Sequence, residues 1–339
     1  MPSAESLPTN GHSSPTYAFP PGIHVPSLTW FKNDKTQEID WETQQQHFDF
    51  LISSGLHGIV VAGTNGEAAT LSSAEKSQLV QTARKTAQRL GRPDLPITLG
   101  GVAGCTRDAI QQSIEAKEAG ASAYLALVPS YFHFAMSQEA IVSFFQELAD
   151  ASPVPIVIYN FPGVAAGLDV NSEMLDVLGQ HANIVAVKLT CGGIAKVARI
   201  AARFDKSEFV ALAGQSDWLV PALSVGGVGT ITGVANLYPK VCRVVGFDDG
   251  LCGADTARPA FTCMNFTNKA STLRHPPCRS NSPLLNGALA RVGFMERNMS
   301  SPIRGDIQNP VLIAGDRTQG MTMRRSGSGS STKSRAWTR

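Results

Sequence analysis

The sequence contains no run of about 18 apolar residues, the length needed to span a hydrocarbon core, so no membrane-crossing helix is expected. None of the six cysteines forms a C-x-x-C pair, and the seven histidines show no metal-ligand spacing. A structural zinc or other metal site is therefore not expected, and reduced thiols in an intracellular protein are. The first twenty residues, "MPSAESLPTNGHSSPTYAFP", hold no Lys or Arg and no apolar core. They match neither a secretory signal nor an Arg-rich transit peptide. Residues 1–21 thus read as a disordered leader on a cytoplasmic, rather than mitochondrial, protein.

An excess of charge is also missing, since the net value is only +2. That balance hides an asymmetry. Residues 1–245 carry 16 basic and 21 acidic groups, whereas residues 246–339 carry 13 basic and 6 acidic ones. A mildly acidic body has no nucleic-acid footprint. At 43% hydrophobic over 339 residues, the chain can bury one large core or two ordinary ones.

What is present is a repeating order of elements. Short β-rich runs occur at 22–31, 58–63, 97–102, 123–129, 155–161, 184–190, 209–214 and 228–233. Most are continuously apolar rather than alternating, as strands covered on both faces require. Helical segments lie between them. Residues 72–90 open with Ser72 three positions before Glu75, a capping-box pattern, and place Leu79, Val80, Ala83 and Ala87 on one face. Residues 106–120 read as a helix from a Thr106 cap to a Gly120 stop, and residues 137–150 behave similarly. Eight strands with intervening helices predict a (β/α)8 TIM barrel over residues 22–245. The rival is a doubly wound open sheet. Its phosphate-binding glycine loop has only a weak counterpart here, "GGVGTITG" at the eighth strand.

Active groups of such a barrel lie at the C-terminal strand ends. Read in order, these ends supply Gly63–Glu67, then Tyr131, then Tyr159 and Asn160, then Lys188, Gly214 and Ile231. Lys188 interrupts the apolar run "NIVAVKLT". It is either a snorkelling or carboxylate-paired lysine, or a Schiff-base lysine. A free lysine is protonated at neutral pH, and an apolar setting disfavours the ammonium, so a strand core suits the second role. Tyr159 and Tyr131 are either packing aromatics or proton carriers. The turn "GTNGE" is either an ordinary strand-to-helix turn or a cradle of backbone N–H groups for a carboxylate.

The combination is more specific than its parts. "GTNGEAATLSSAEK", "YNFPG", a lysine 29 residues after that tyrosine, and "GTITGVAN" follow one another in this order. Together they resemble the dihydrodipicolinate synthase / N-acetylneuraminate lyase family of pyruvate-dependent class I aldolases, over residues 22 to 245. The resemblance implies that Lys188 is the Schiff-base lysine and Tyr159 the proton shuttle. It implies that Thr64 links Tyr159 to Tyr131, the latter reaching the site of a neighbouring subunit. Thr64 and Asn65 would hold the pyruvate carboxylate, and Thr190, Gly214 and Ile231 would line the pocket. No metal or organic cofactor is implied, and a homotetramer or dimer is.

Within the family, the synthases carry "GTTGE" and an Arg five residues after the motif tyrosine. Here the turn reads Thr64-Asn65 and that position is Val164. The loss removes a bidentate carboxylate clamp. Asn65, Thr190, "AGLDV" and "QHANIV" look more like 4-hydroxy-2-oxoglutarate aldolase, and "KLTC" also resembles fungal 2-keto-3-deoxy-sugar-acid aldolases. A catalytically inactive keto-acid-binding homologue is the remaining alternative. It is kept because the chain from residue 246 departs from the family's helical C-terminal part. Prolines interrupt that tail, which ends in the basic, low-complexity "MRRSGSGSSTKSRAWTR". It is expected to be disordered or the product of a frame shift.

Overall fold

A computed structural model describes residues 17–246. The expected tail, and the leader as far as residue 16, lie outside the described residues. Among the described residues, eight strands alternate with eight α-helices. The strands are β1 (Gly22–Pro26), β2 (Gly58–Val61), β3 (Ile97–Gly101), β4 (Ala123–Leu127), β5 (Ile156–Asn160), β6 (Ile184–Leu189), β7 (Val210–Ala213) and β8 (Gly229–Ile231). The helices are α1 (Trp41–Ser53), α2 (Ser73–Arg89), α3 (Thr106–Ala119), α4 (Gln138–Ala151), α5 (Ser172–Leu178), α6 (Ile194–Arg203), α7 (Leu219–Ser224) and α8 (Pro239–Gly246). All neighbouring strands pair in parallel, and β1 closes on β8, giving the predicted TIM barrel. Among the described residues, no helix is long and apolar enough to cross a membrane.

The helices form where the sequence places their signals. At α2 the Ser72 hydroxyl accepts from the Glu75 N–H while the Glu75 carboxylate accepts from the Ser72 N–H. Such a cap is worth about 1 kcal/mol. Leu79, Val80, Ala83 and Ala87 all face the core. Ser137 caps α4, and Gly120 ends α3 in the left-handed region at φ 92°. One helix start differs from expectation. Cys105, not Thr106, stands at the N-cap of α3, and it makes no side-chain capping bond.

The strands bury both faces. Ile59, Val61, Ile158, Val187 and Leu189 join the cluster that includes the helices' apolar stripes. The alternating residues Val60, Leu125, Val157, Tyr159, Ala186, Leu212 and Ile231 form a second cluster, which fills the barrel interior. Phe19 is 2% exposed and belongs to that interior cluster, and the Pro20 carbonyl bonds to His24. The expected leader boundary at residue 21 is therefore too late. Residues 17–20 pack at the N-terminal end of the barrel because Phe19 fills its base.

A bulge in β6 sets the phase of the strand that carries Lys188. Ile156 pairs with Ile184, but Val157 pairs with Ala186, leaving Val185 as the extra residue. A strand that alternated strictly from Ile184 would turn Lys188 towards the helices. The bulge reverses the alternation, so Val187 and Leu189 take the helix-facing side and Lys188 takes the interior.

Candidate active site

Lys188 is 2% exposed and pairs in register with Tyr159 on β5 and Leu212 on β7. Its Nζ lies 4.0 Å from the centroid of the Tyr159 ring. Among the described residues it makes no ion pair, so the carboxylate-paired reading of this lysine does not hold. Tyr159 is also 2% exposed, and its hydroxyl lies 3.3 Å from Thr64 Oγ1. The structure thus brings together Lys188, Tyr159 and Thr64 from β6, β5 and the turn after β2.

The turn is built by its own backbone. Gly66 and Ala68 N–H both donate to the Gly63 carbonyl, and Glu67 N–H donates to the Thr64 carbonyl. Among the described residues, the N–H groups of Thr64 and Asn65 are left without an acceptor. Two successive free N–H groups beside a buried amine suit a carboxylate. The turn cannot relax away from the strands. A Cβ on Gly66 would lie 2.9 Å from the Ser27 carbonyl, and one on Gly100 would lie 2.3 Å from the Ala62 carbonyl. Asn65 is buried, and its amide abuts Gly233, where an added Cβ would come within 2.8 Å of Nδ2.

The far wall comes from β6, β7 and β8. Ile231 is fully buried in the interior cluster. Gly214 lies so close to Thr190 that a Cβ there would sit 2.0 Å from Thr190 Oγ1. Among the described residues, that hydroxyl and the Gln215 Nε2 are buried without a partner. The Ser216 and Thr232 hydroxyls bond to each other. Gln215, Ser216 and Thr232 were not singled out from the sequence. Their signal was adjacency, since each directly follows or nearly follows the strand-end residues Gly214 and Ile231.

Tyr131 is the residue that this chain does not bring to Lys188. It is 80% exposed and its ring packs edge-on against Phe132, 4.9 Å between centroids. Phe132 and Phe134, in the same segment after β4, are also exposed.

Asn160 has a role the sequence left open. Fully buried, it donates to Asp169 Oδ1 and the Val170 carbonyl and accepts from the Val170 N–H. Lys196 on α6 donates to both oxygens of Asp169, at 2.6 and 2.7 Å. This network ties the segment after β5 to the start of α6. It also occupies Lys196, a cation near the strand ends. Val164 is 41% exposed, and residues 161–167 contribute no cation. Among the described residues, no group of three or more His, Cys, Asp or Glu could hold a metal.

Comparison with known proteins agrees with this geometry. The model of the dihydrodipicolinate synthetase family matches residues 20–251. A protein of Coccidioides immitis (strain RS), provisionally named a mitochondrial 4-hydroxy-2-oxoglutarate aldolase, is 42% identical over 221 residues, 65% of this chain and 69% of that protein. The L-threo-3-deoxy-hexylosonate aldolase of Hypocrea jecorina is 37% identical over 232 residues, 66% of this chain and 73% of its own. Among solved structures, a dihydrodipicolinate synthase family protein from Coccidioides immitis superposes with a TM-score of 0.68 at 34% identity, covering 83% of this chain and 87% of that one. The chloride-inhibited dihydrodipicolinate synthase of Acinetobacter baumannii, complexed with pyruvate, gives 0.67 at 27% identity over 80% of this chain and 88% of that one. With a closed barrel, a family match over most of the chain and a buried lysine beside the motif tyrosine, the chain belongs to the dihydrodipicolinate synthetase family.

Proposed function

We propose that the chain is a Schiff-base-forming lyase, a pyruvate-dependent class I aldolase acting on a 4-hydroxy-2-oxo acid. The observation that carries this is Lys188, buried against Tyr159 with no ion pair among the described residues, while the Tyr159 hydroxyl meets Thr64. The carboxylate of the oxo acid rests on the N–H groups of Thr64 and Asn65. Lys188 Nζ, as the free amine, attacks the C2 ketone, and loss of water gives an iminium. Tyr159 takes the proton of the 4-hydroxyl, relayed through Thr64 and through Tyr131 of a neighbouring subunit. The C3–C4 electron pair moves into the iminium, an aldehyde departs and an enamine remains. Protonation at C3 and hydrolysis release pyruvate and regenerate the amine. The iminium is itself the electron sink, so the scheme needs no metal or organic cofactor. The exposure of Tyr131 supports its assignment to a second copy, and with it a homo-oligomer.

The substrate favoured is 4-hydroxy-2-oxoglutarate, cleaved to pyruvate and glyoxylate. The name carried by the Coccidioides relative supports this choice, and Val164 in place of a guanidinium weighs against the synthase reaction. A second reading is cleavage of a 2-keto-3-deoxy-sugar acid. It is favoured by the Thr190 hydroxyl and the Gln215 amide, buried without a partner among the described residues and suited to the hydroxyls of a sugar-acid aldehyde. On location, the Coccidioides relative is named mitochondrial.

Borohydride reduction in the presence of pyruvate tests the chemistry. One reduced adduct is expected on the peptide containing Lys188, and an equal yield from Lys188→Ala would overturn the assignment. A panel of aldehydes offered with pyruvate then separates glyoxylate from polyhydroxylated partners.

A further inference from the structure

The cradle after β2 is shaped by its own backbone bonds, yet those bonds do not fix its height relative to Lys188. That depends on what grips the turn from outside. Thr29, in the segment that leaves β1, is 2% exposed, and its Oγ1 donates to the Gly66 carbonyl at 2.7 Å. Gly66 is the turn residue directly after Asn65, so this bond orients the Gly66–Glu67 peptide, whose N–H closes the turn on the Thr64 carbonyl.

Thr29 can do this because its own segment is anchored on the opposite side. Asn236, 2% exposed, donates to the Pro26 carbonyl and to the Gly233 carbonyl, and its Oδ1 accepts from the Leu28 N–H. Ser27 N–H donates to the Val60 carbonyl of β2. The stretch from Pro26 to Thr29 is thereby a strut, fixed to β2 and to the segment after β8, with the Thr29 hydroxyl at its tip. On its other flank the turn meets Gly233, packed against the Asn65 amide. Strut and flank therefore share Asn236.

We infer that Thr29 is a positioning residue for the carboxylate cradle. Its hydroxyl holds the Gly66 peptide so that the Thr64 and Asn65 N–H groups meet a 2-oxo acid's carboxylate while its ketone lies at Lys188. Thr29 touches neither substrate nor reacting atoms. The inference rests on the Schiff-base reading of the site.

The experiment compares pyruvate with acetone, a ketone without a carboxylate, as partners in borohydride trapping at Lys188. Thr29→Val keeps the shape and removes the donor. The half-saturating concentration of pyruvate is expected to rise roughly tenfold, the equivalent of one lost hydrogen bond, while that of acetone stays unchanged. Thr29→Ser keeps the hydroxyl and is expected to restore the pyruvate value. Should Thr29→Val not fold, the pyruvate-to-acetone ratio in Thr29→Ala reads the same quantity. An unchanged pyruvate value overturns the inference. So does an equal weakening of both ketones, the mark of a merely structural role, and so does failure of Thr29→Ser to restore binding. Absence of any imine in the wild-type protein removes the Schiff-base reading and this inference with it, and is recognised before any variant is made.

Discussion

Lys188 and Tyr159 occupy the same level of neighbouring strands, with the lysine Nζ 4.0 Å from the tyrosine ring centroid. The ring therefore packs against the amine while the hydroxyl extends to Thr64. Packing and proton transfer are thus separable functions of one side chain. Tyr159→Phe retains the ring and is expected to retain the fold, while turnover falls by roughly 10²–10⁴-fold, the usual size of an acid–base contribution. Steady-state cleavage assays with thermal unfolding as the control check this. Turnover within a few-fold of wild type would reduce Tyr159 to a packing residue.

Gly214 is the tightest point of the pocket wall. An alanine Cβ would lie 2.0 Å from Thr190 Oγ1 and 2.7 Å from the Leu189 carbonyl. The backbone has little room to retreat, because Gly214 N–H donates to that carbonyl at 2.8 Å. Gly214→Ala is expected to destabilise the chain by about 1–3 kcal/mol, the usual cost of overpacking, and to weaken pyruvate binding through Thr190. Urea unfolding with a pyruvate titration measures both. An unaltered midpoint and affinity would show that the wall yields.

The barrel was legible because each apolar run is short, continuous and followed by a helix with its own cap, as Ser72 and Glu75 illustrate. Lys188 was legible as an anomaly of composition, but its inward direction was not. Simple alternation from Ile184 points it towards the helices, and only the bulge at Val185 turns it inward. Bulges depend on pairing with another strand, which one strand's residues do not report. Thr29 and Asn236 were missed for a related reason. Their bonds reach backbone groups 37 and 208 residues away, at Gly66 and Leu28, and leave no local pattern.

The two candidate aldehydes carry their carboxylates at different distances from the reacting carbon. Aspartate semialdehyde holds its carboxylate two carbons farther from the aldehyde carbon than glyoxylate does, and the segment after β5, where the synthases carry an Arg, has Val164 here, while Lys196 is held by Asp169. Cleavage of 4-hydroxy-2-oxoglutarate is therefore expected to exceed condensation of pyruvate with aspartate semialdehyde by about tenfold or more in kcat/KM, the weight of one charged hydrogen bond. Comparable efficiency with the semialdehyde would reverse the ranking.

Two buried histidines are expected to make the fold acid-sensitive. Burial lowers the His24 pKa to about 4, aided by nearby His57 and opposed by the hydrogen bond to the Pro20 carbonyl. Burial likewise lowers that of His47 to about 4, against the opposing bond to Asn236. The geometry shows why the neutral forms are preferred. The Pro20 carbonyl only accepts, so His24 Nε2 carries the hydrogen and Nδ1 is bare. Nδ1 has no partner among the described residues, and a proton added there would be a buried, unpaired donor facing Gly58. Unfolded histidines titrate near 6.5, so between about pH 6.5 and 4 the unfolded chain binds protons that the folded chain refuses. Stability from this source is fully present above about 6.5 and is lost as pH falls to about 4, below which both states are protonated. The loss is on the order of 3 kcal/mol per histidine. His47→Gln can keep a donor to Asn236 Oδ1 and cannot titrate, so its stability should fall less steeply over the same window. Urea unfolding of both proteins at pH 7, 5.5 and 4.5 gives the slopes. Parallel slopes would assign the acid sensitivity elsewhere, and a wild-type stability unchanged from pH 7 to 4.5 would refute the role of both histidines.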